Sequence, residues 1–256
     1  MSELEKLIPS LISICLEAGE KIMNIYNDQS SWNIEVKDDK SPLTKADKEA
    51  NKIIEKGLKT LPLTFPIISE EGKNIPYETR KDWTQFWLVD PLDGTKEFIK
   101  RNGQFTVNIA LIEQHVPILG IIYAPATQEL FYGLKGKGAF KLNKEGKAEN
   151  ISISHRSENW ISVGSSSHAN EEEANYLSHY PIVESIKSGS SLKFCKVAEG
   201  LADIYLRTGP TMEWDTAAGQ CIAESAGALM TKLDGSPFVY NKQSLLNTGF
   251  VCKKKN

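Results

Sequence analysis

The chain has no CxxC pair: its four cysteines, Cys15, Cys195, Cys221 and Cys252, lie far apart. That spacing excludes a zinc ribbon or a disulfide framework and reads as reduced thiols in a cytosolic protein. No apolar run approaches the roughly 20 residues that would span a bilayer. Internal repeats and low-complexity tracts are absent too. The opening MSELEKLIPS is acidic and amphipathic, unlike a secretory signal. Charge of one sign is also lacking, with 30 Lys and Arg against 33 Asp and Glu for a net charge of −3. Broad nucleic-acid binding is therefore excluded, although a local basic patch can still receive an anionic ligand. Gly133, Gly136 and Gly138 in GLKGKG match neither the P-loop nor the dinucleotide fingerprint. They read as a hairpin turn.

What is present, in 256 residues, is enough chain for one large domain or two tightly packed halves. The solvated stretch from Asn143 to Asn150 predicts a division into an N-terminal α+β half over 1–148 and a C-terminal α/β half over 149–256. Leu4, Leu7, Ile8, Leu11, Ile12, Cys15, Ala18, Ile22 and Tyr26 recur at helical spacing and predict a long first helix with a core-facing stripe. A weak strand is expected within 32–37. Ala46, Ala50, Ile53, Ile54 and Leu58 predict a second helix, entered through a Thr44–Asp47 capping box. Strands follow over 65–68 and 86–89, then an antiparallel meander over 104–111, 116–123 and 129–133. Beyond the division, strands and helices alternate. Ser190 reads as a helix N-cap and Lys193 as a solvated first-turn residue.

The acids are the informative part. Glu70 ends one apolar strand, in SEEG at 69–72. Asp90 and Asp93 end the next, in FWLVDPLDGT at 86–95. Asp215 opens a helix in WDTAAG at 214–219. Each alone reads as a turn or cap residue. If they converge, a different chemistry is required. Two like charges about 4 Å apart repel by about 4 kcal/mol at an effective dielectric near 20. Several such pairs rival a domain's whole stability of roughly 5–15 kcal/mol. Such a cluster must share protons or bind cations. Oxygen ligands without His or Cys select Mg²⁺ or Mn²⁺ over Zn²⁺. A helix starting at Thr95 would add backbone N–H groups suited to a phosphate. Metal-assisted phosphate ester hydrolysis is the expected reaction class.

These motifs resemble the inositol monophosphatase superfamily of Mg²⁺-dependent, lithium-sensitive phosphatases, in order along nearly the whole chain. The run WLVDPLDGTKEFIKRNGQFTVNIALI and GSSLKFC at 189–195 look closer to its 3′(2′),5′-bisphosphate nucleotidase branch, of the bacterial CysQ type. Inositol phosphatases typically carry Thr-Asn where Lys96-Glu97 stand here.

The resemblance implies a layered αβαβα sandwich of α+β or α/β class. It implies two Mg²⁺ ions, with room for a third near Glu70. Glu70, Asp90, Asp93 and the Leu92 carbonyl would hold one, and Asp90, Asp93 and Asp215 the second. Thr95 with Asp47 would activate water, with Glu70 also in the catalytic set. Gly94 and Thr95 would grip the scissile phosphate, and His168, Ser190, Lys193 and Arg207 the nucleotide. The substrate implied is adenosine 3′,5′-bisphosphate, cleaved by metal-activated water to AMP and phosphate in sulfur metabolism. Lys96, Lys100 and Arg101 would raise the local potential for it. The alternatives are an inositol monophosphatase or sugar bisphosphatase, or a non-catalytic regulatory protein on the same fold. No nucleic-acid partner is expected. A monomer or homodimer is, in the cytoplasm or peripherally at the cytoplasmic face of the bacterial inner membrane.

Overall fold

The computed structural model describes residues 2–28, 30, 32, 34–36, 42–143, 145–165 and 171–255. Helix α1 (Glu3–Asn27) starts at a capping box made by Ser2 and Glu5. Leu7, Leu11, Cys15, Ala18, Ile22 and Tyr26 form its buried face, the stripe expected from their spacing. Leu4, Ile8 and Ile12 pack at its margin. A short ladder of β1 (Glu35–Val36) and β2 (Pro42–Leu43) leads into α2 (Lys45–Lys59). Helices α1 and α2 share the core on one face of a seven-stranded sheet.

That sheet runs in chain order through β3 (Ile67–Ser69), β4 (Gln85–Asp93), β5 (Thr106–Glu113), β6 (Val116–Ala124), β7 (Glu129–Leu134), β8 (Gly138–Leu142) and β9 (Ala148–Ile151). Helix α3 (Tyr77–Arg80) lies between β3 and β4, and α4 (Thr95–Ile99) between β4 and β5. Strands β3 and β4 are parallel, and the rest is an antiparallel meander. GLKGKG forms the β7–β8 hairpin. The solvated stretch at 143–150 turns β8 into β9, and the chain leaves this sheet after Ile151.

A second sheet follows. Its elements are β10 (Trp160–Gly164), α5 (Glu171–Leu177), β11 (Ile182–Lys187), α6 (Leu192–Ala198), β12 (Ile204–Arg207), β13 (Thr211–Met212), α7 (Glu213–Ser225), β14 (Ala228–Lys232), β15 (Leu246–Asn247) and β16 (Phe250–Lys254). The five-stranded order is β11-β10-β12-β16-β14, and β13 pairs separately with β15.

Side-chain alternation builds the layers. On β4, Trp87 and Val89 join the core under α1 and α2, whereas Phe86 and Leu88 enter the core that holds α6 and α7. Tyr205, Phe250 and Cys252 meet that second core from the other sheet, while Ile204, Leu206 and Val251 turn outward to Tyr176 and Leu177 of α5. The result is the αβαβα sandwich expected from the sequence. Helix α7 lies hard against β6: a Cβ on Gly120 would stand 2.5 Å from the Ala218 carbonyl oxygen. This contact fixes the depth at which the first turn of α7, with Asp215, sits over the sheet.

One strand differs from expectation. The sequence reads as breaking at Asp90, yet β4 resumes its ladder with β5 at Asp93↔Thr106, after a register shift beyond Asp90↔Asn108. Pro91 has no N–H to give and falls inside the interruption, which behaves as a bulge.

Candidate active site

Sheet register brings the acids together. Ser69 pairs with Val89 in the parallel β3–β4 ladder, so Glu70 follows beside Asp90. The Glu70 N–H donates to the Val89 carbonyl at 3.1 Å. Asp90 is 1% exposed and its carboxyl is hydrogen-bonded to that of Glu70. Burial, then the like charges of Glu70, Asp93 and Asp215, push Asp90 well above the usual carboxylate range. Burial and then Asp93 raise Asp215 as well, against the lowering effect of the Met212 N–H at 2.8 Å. All four acids therefore interact, although they come from β4, α7 and the end of β3.

Asp47 shows that a helix cap and a site residue can be one group. Its Oδ2 closes the capping box, accepting from the Thr44 N–H at 2.8 Å and the Thr44 hydroxyl at 2.5 Å. Its Oδ1 accepts from Thr95 Oγ1 at 3.2 Å. Thr95 Oγ1 also lies 3.4 Å from the Leu92 carbonyl oxygen. Asp47 is 2% exposed, so its contacts with Thr44 are shielded from water, while the half-buried Thr95 stands at the solvent side. Gly94, just before Thr95, has φ +91°, and only glycine takes that left-handed conformation without strain. It lets the chain turn sharply from β4 into α4 while keeping Asp93 and Thr95 at one end of the sheet.

A cavity of about 130 Å³ opens beside Asp93 and Asp215, lined also by Lys96, Ser190, Lys193 and Arg207. Two of these residues differ from the sequence reading. Ser190 is not the N-cap. It has φ +52°, Ser191 occupies the cap position, and the Ser190 hydroxyl donates to Asp93 Oδ2 at 2.6 Å. Lys193 is not solvated. It is 5% exposed, and its Nζ donates to the Ser190 carbonyl at 2.6 Å. Burial pushes this ammonium down to about 8; Arg207 acts in the same direction, and Asp93, Glu97 and Asp215 oppose it. Among the described residues, the buried Arg207 Nε has no hydrogen-bond partner. Arg101 does not face the cavity: it donates to the Tyr26 carbonyl at 2.9 Å and stacks on that ring. His168 lies outside the described residues.

Sequence reasoning missed Thr106, Asn108 and Ser191, which surround Asp93. Thr106 and Asn108 sit on β5 at the same parity as Ala110 and Ile112, the face toward α6 and α7. Two polar residues on a strand face that buries apolar neighbours were the available signal.

A divalent cation fits this donor set. Among the described residues, no three Asp, Glu, His or Cys side chains already stand as a closed ligand cage. Glu70 lines a neighbouring cavity of about 330 Å³ with Arg80, Met212 and Trp214, not the one beside Asp93 and Asp215. Asp90 is the buried group that interacts with acids on both. It shares a hydrogen bond with Glu70 that requires a proton, and the charges acting on it most strongly are negative. A hard cation would replace that proton and bind carboxylate and carbonyl oxygens, the donors present here.

The model of the inositol monophosphatase family matches residues 3–255. The chain belongs to that family. Within it, the chain is 44% identical over 250 residues to the 3′(2′),5′-bisphosphate nucleotidase CysQ of Buchnera aphidicola, covering 96% of this chain and 93% of that one. It is 43% identical over 245 residues to the enzyme of the same name from Escherichia coli K12, covering 95% and 98%. The solved structure of CysQ from Bacteroides thetaiotaomicron, described as a bacterial member of the inositol monophosphatase family, superposes with a TM-score of 0.84 at 44% identity. That match covers 96% of each chain. For this family member, no helix among the described residues is long and apolar enough to cross a membrane.

Proposed function

We propose that this chain is a Mg²⁺-dependent 3′(2′),5′-bisphosphate nucleotidase that removes the 3′-phosphate of adenosine 3′,5′-bisphosphate, giving AMP and phosphate. The observation that carries this reading is the buried Asp90, on which the charges of Glu70, Asp93 and Asp215 all act, next to a cavity lined by Asp93 and Asp215 that also presents Lys96, Lys193 and Arg207. Acids for a metal and cations for an anionic substrate thus stand side by side. The nucleotidase relatives at 43–44% identity support the substrate.

Glu70, Asp90, the Leu92 carbonyl, Asp93 and Asp215 would hold Mg²⁺, two ions with room for a third near Glu70. When bound, Mg²⁺ supplies Lewis-acid neutralisation of the phosphate and leaving-group charge and makes water a better nucleophile. The chain's own residues do the rest. Asp47 Oδ1 takes the Thr95 hydroxyl proton as a hydrogen bond, which leaves the Thr95 oxygen lone pairs free to accept from an attacking water. Thr44 holds the other Asp47 oxygen and fixes that orientation. Gly94 and Thr95 would bind the scissile phosphate through backbone N–H groups, with His168, Ser190, Lys193 and Arg207 toward the nucleotide. Because Arg101 is tied to Tyr26 and Lys96 lines the cavity, Lys96 is the cation of that segment for the second phosphate. All four cysteines are free and buried, which fits a reducing, cytoplasmic compartment.

Phosphate release with Mg²⁺ across a small panel tests this. Adenosine 3′,5′-bisphosphate should exceed inositol 1-phosphate and fructose 1,6-bisphosphate in kcat/KM by about 100-fold, roughly 2.7 kcal/mol of discrimination. Its KM should rise with ionic strength, since exposed charges are screened within about 10 Å at 0.1 M salt. A preference for inositol 1-phosphate would refute the substrate assignment.

A further inference from the structure

We propose that Ser191 and Asn108 form a positioning pair that holds Asp93 and Asp215 at a set separation and selects the single Asp93 oxygen offered to a divalent cation. The inference rests on the reading above that these acids hold a metal. Ser191 is 2% exposed and Asn108 1% exposed. Ser191 Oγ lies 2.7 Å from Asp93 Oδ2 and 3.0 Å from the main-chain oxygen of Asp215. One hydroxyl thus touches both acidic residues, although Asp93 ends β4 and Asp215 opens α7.

The direction of the hydrogen bonds follows from donor counting. Asn108 Nδ2 donates to Ser191 Oγ at 2.9 Å. An amide nitrogen only donates, so that contact fills an acceptor site on the serine and points its own hydrogen onward. Asn108 cannot flip without cost, because a flip would set its amide oxygen, in place of Nδ2, 3.5 Å from the acceptor-only Asp93 Oδ2. Ser190 donates to the same Asp93 Oδ2 at 2.6 Å. Two hydroxyls therefore occupy one carboxylate oxygen. No hydrogen bond among the described residues reaches Oδ1. The carboxylate is held in a single rotation, with Oδ1 as the free ligand atom. Neighbours that hydrogen-bond a ligating carboxylate in this way orient it, and removing them typically costs 10–100-fold in metal affinity.

Titration of the substrate-free full-length protein with Mn²⁺, followed by the electron paramagnetic resonance of free Mn²⁺, tests the pair. Ser191→Ala should weaken Mn²⁺ binding by about 10- to 100-fold. Ser191→Thr, which keeps the hydroxyl, should stay within about threefold of wild type. Asn108→Ala should weaken binding too, and adding it to Ser191→Ala should cost little more, since residues that act as a unit are non-additive. At saturating metal the KM of Ser191→Ala should stay close to wild type. Wild-type Mn²⁺ affinity in Ser191→Ala, or Ser191→Thr as weak as Ser191→Ala, would overturn the proposal while leaving the metal site standing. Absence of Mn²⁺ binding in the wild type would overturn the metal reading and this inference with it.

Discussion

Exchange of Asp93 for asparagine is expected to lower kcat/KM by about 10³-fold or more and to leave the protein folded. Lewis-acid stabilisation of a phosphate transition state is worth several kcal/mol, and each 1.36 kcal/mol is tenfold in rate. The amide removes the charge that ligates the cation but keeps an oxygen for the Ser190 and Ser191 hydroxyls, now 2.6 and 2.7 Å from Asp93 Oδ2. It also removes one of the like charges that push Asp90 and Asp215 up. The metal-free variant should therefore melt no lower than metal-free wild type. Mg²⁺-dependent phosphate release and circular dichroism check the two halves of this expectation. Activity within tenfold of wild type would contradict Asp93 as a ligand.

Mg²⁺ should raise the melting temperature by about 5–10 °C at pH 8 and by much less at pH 5. The folded-state carboxyls of Asp90 and Asp215 are raised by burial and by one another's neighbours. In the unfolded chain an aspartate loses its proton near pH 3.9. Between that value and the raised folded one, the native state binds more protons. The stability that these two carboxyls contribute in the metal-free protein is thus fully present below the unfolded value and is lost as pH rises through the folded values. Glu70 and Asp93 face these groups with like charge, and Lys193 and Arg207 near Asp93 and Asp215 offset only part of it. A cation replaces the lost protons, so its increment grows with pH. At 100 times its Kd it contributes about 2.7 kcal/mol, and a chain of this size gains about 2–4 °C per kcal/mol. Thermal scans with Mg²⁺ or with a chelator at the two pH values decide this. Equal increments at both would count against an uncompensated acidic cluster.

The layers were legible because burial follows period. The α1 stripe and the apolar β4 run declare their faces by spacing alone. The acids stood out as candidates too, since Glu70 and Asp90 stand where an apolar strand stops and Asp215 where a helix starts. The capping box at Thr44–Asp47 was legible from spacing, whereas the partnership of Asp47 with Thr95 across 48 positions of sequence followed only from the family resemblance. What surrounds Asp93 was hidden. Ser190, Ser191 and Asn108 reach it from other strands and helices, and short-range patterns carry no trace of such contacts. Lys193 misled because a lysine in a first helical turn normally faces water. Here α6 is covered on both sides, and the ammonium folds back onto the Ser190 carbonyl. The continuation of β4 through Asp93 depends on Thr106 of β5 offering a partner beyond the proline.

Anomalous diffraction from crystals grown with Mn²⁺ asks the central question directly, namely whether β3, β4 and α7 deliver their acids to a common ion. A peak bonded to carboxylate oxygens of Asp90 together with Asp93, Asp215 or Glu70 is the predicted result. Ordered, solvent-filled carboxylates without such a peak, or an ion held only by other residues, would contradict it.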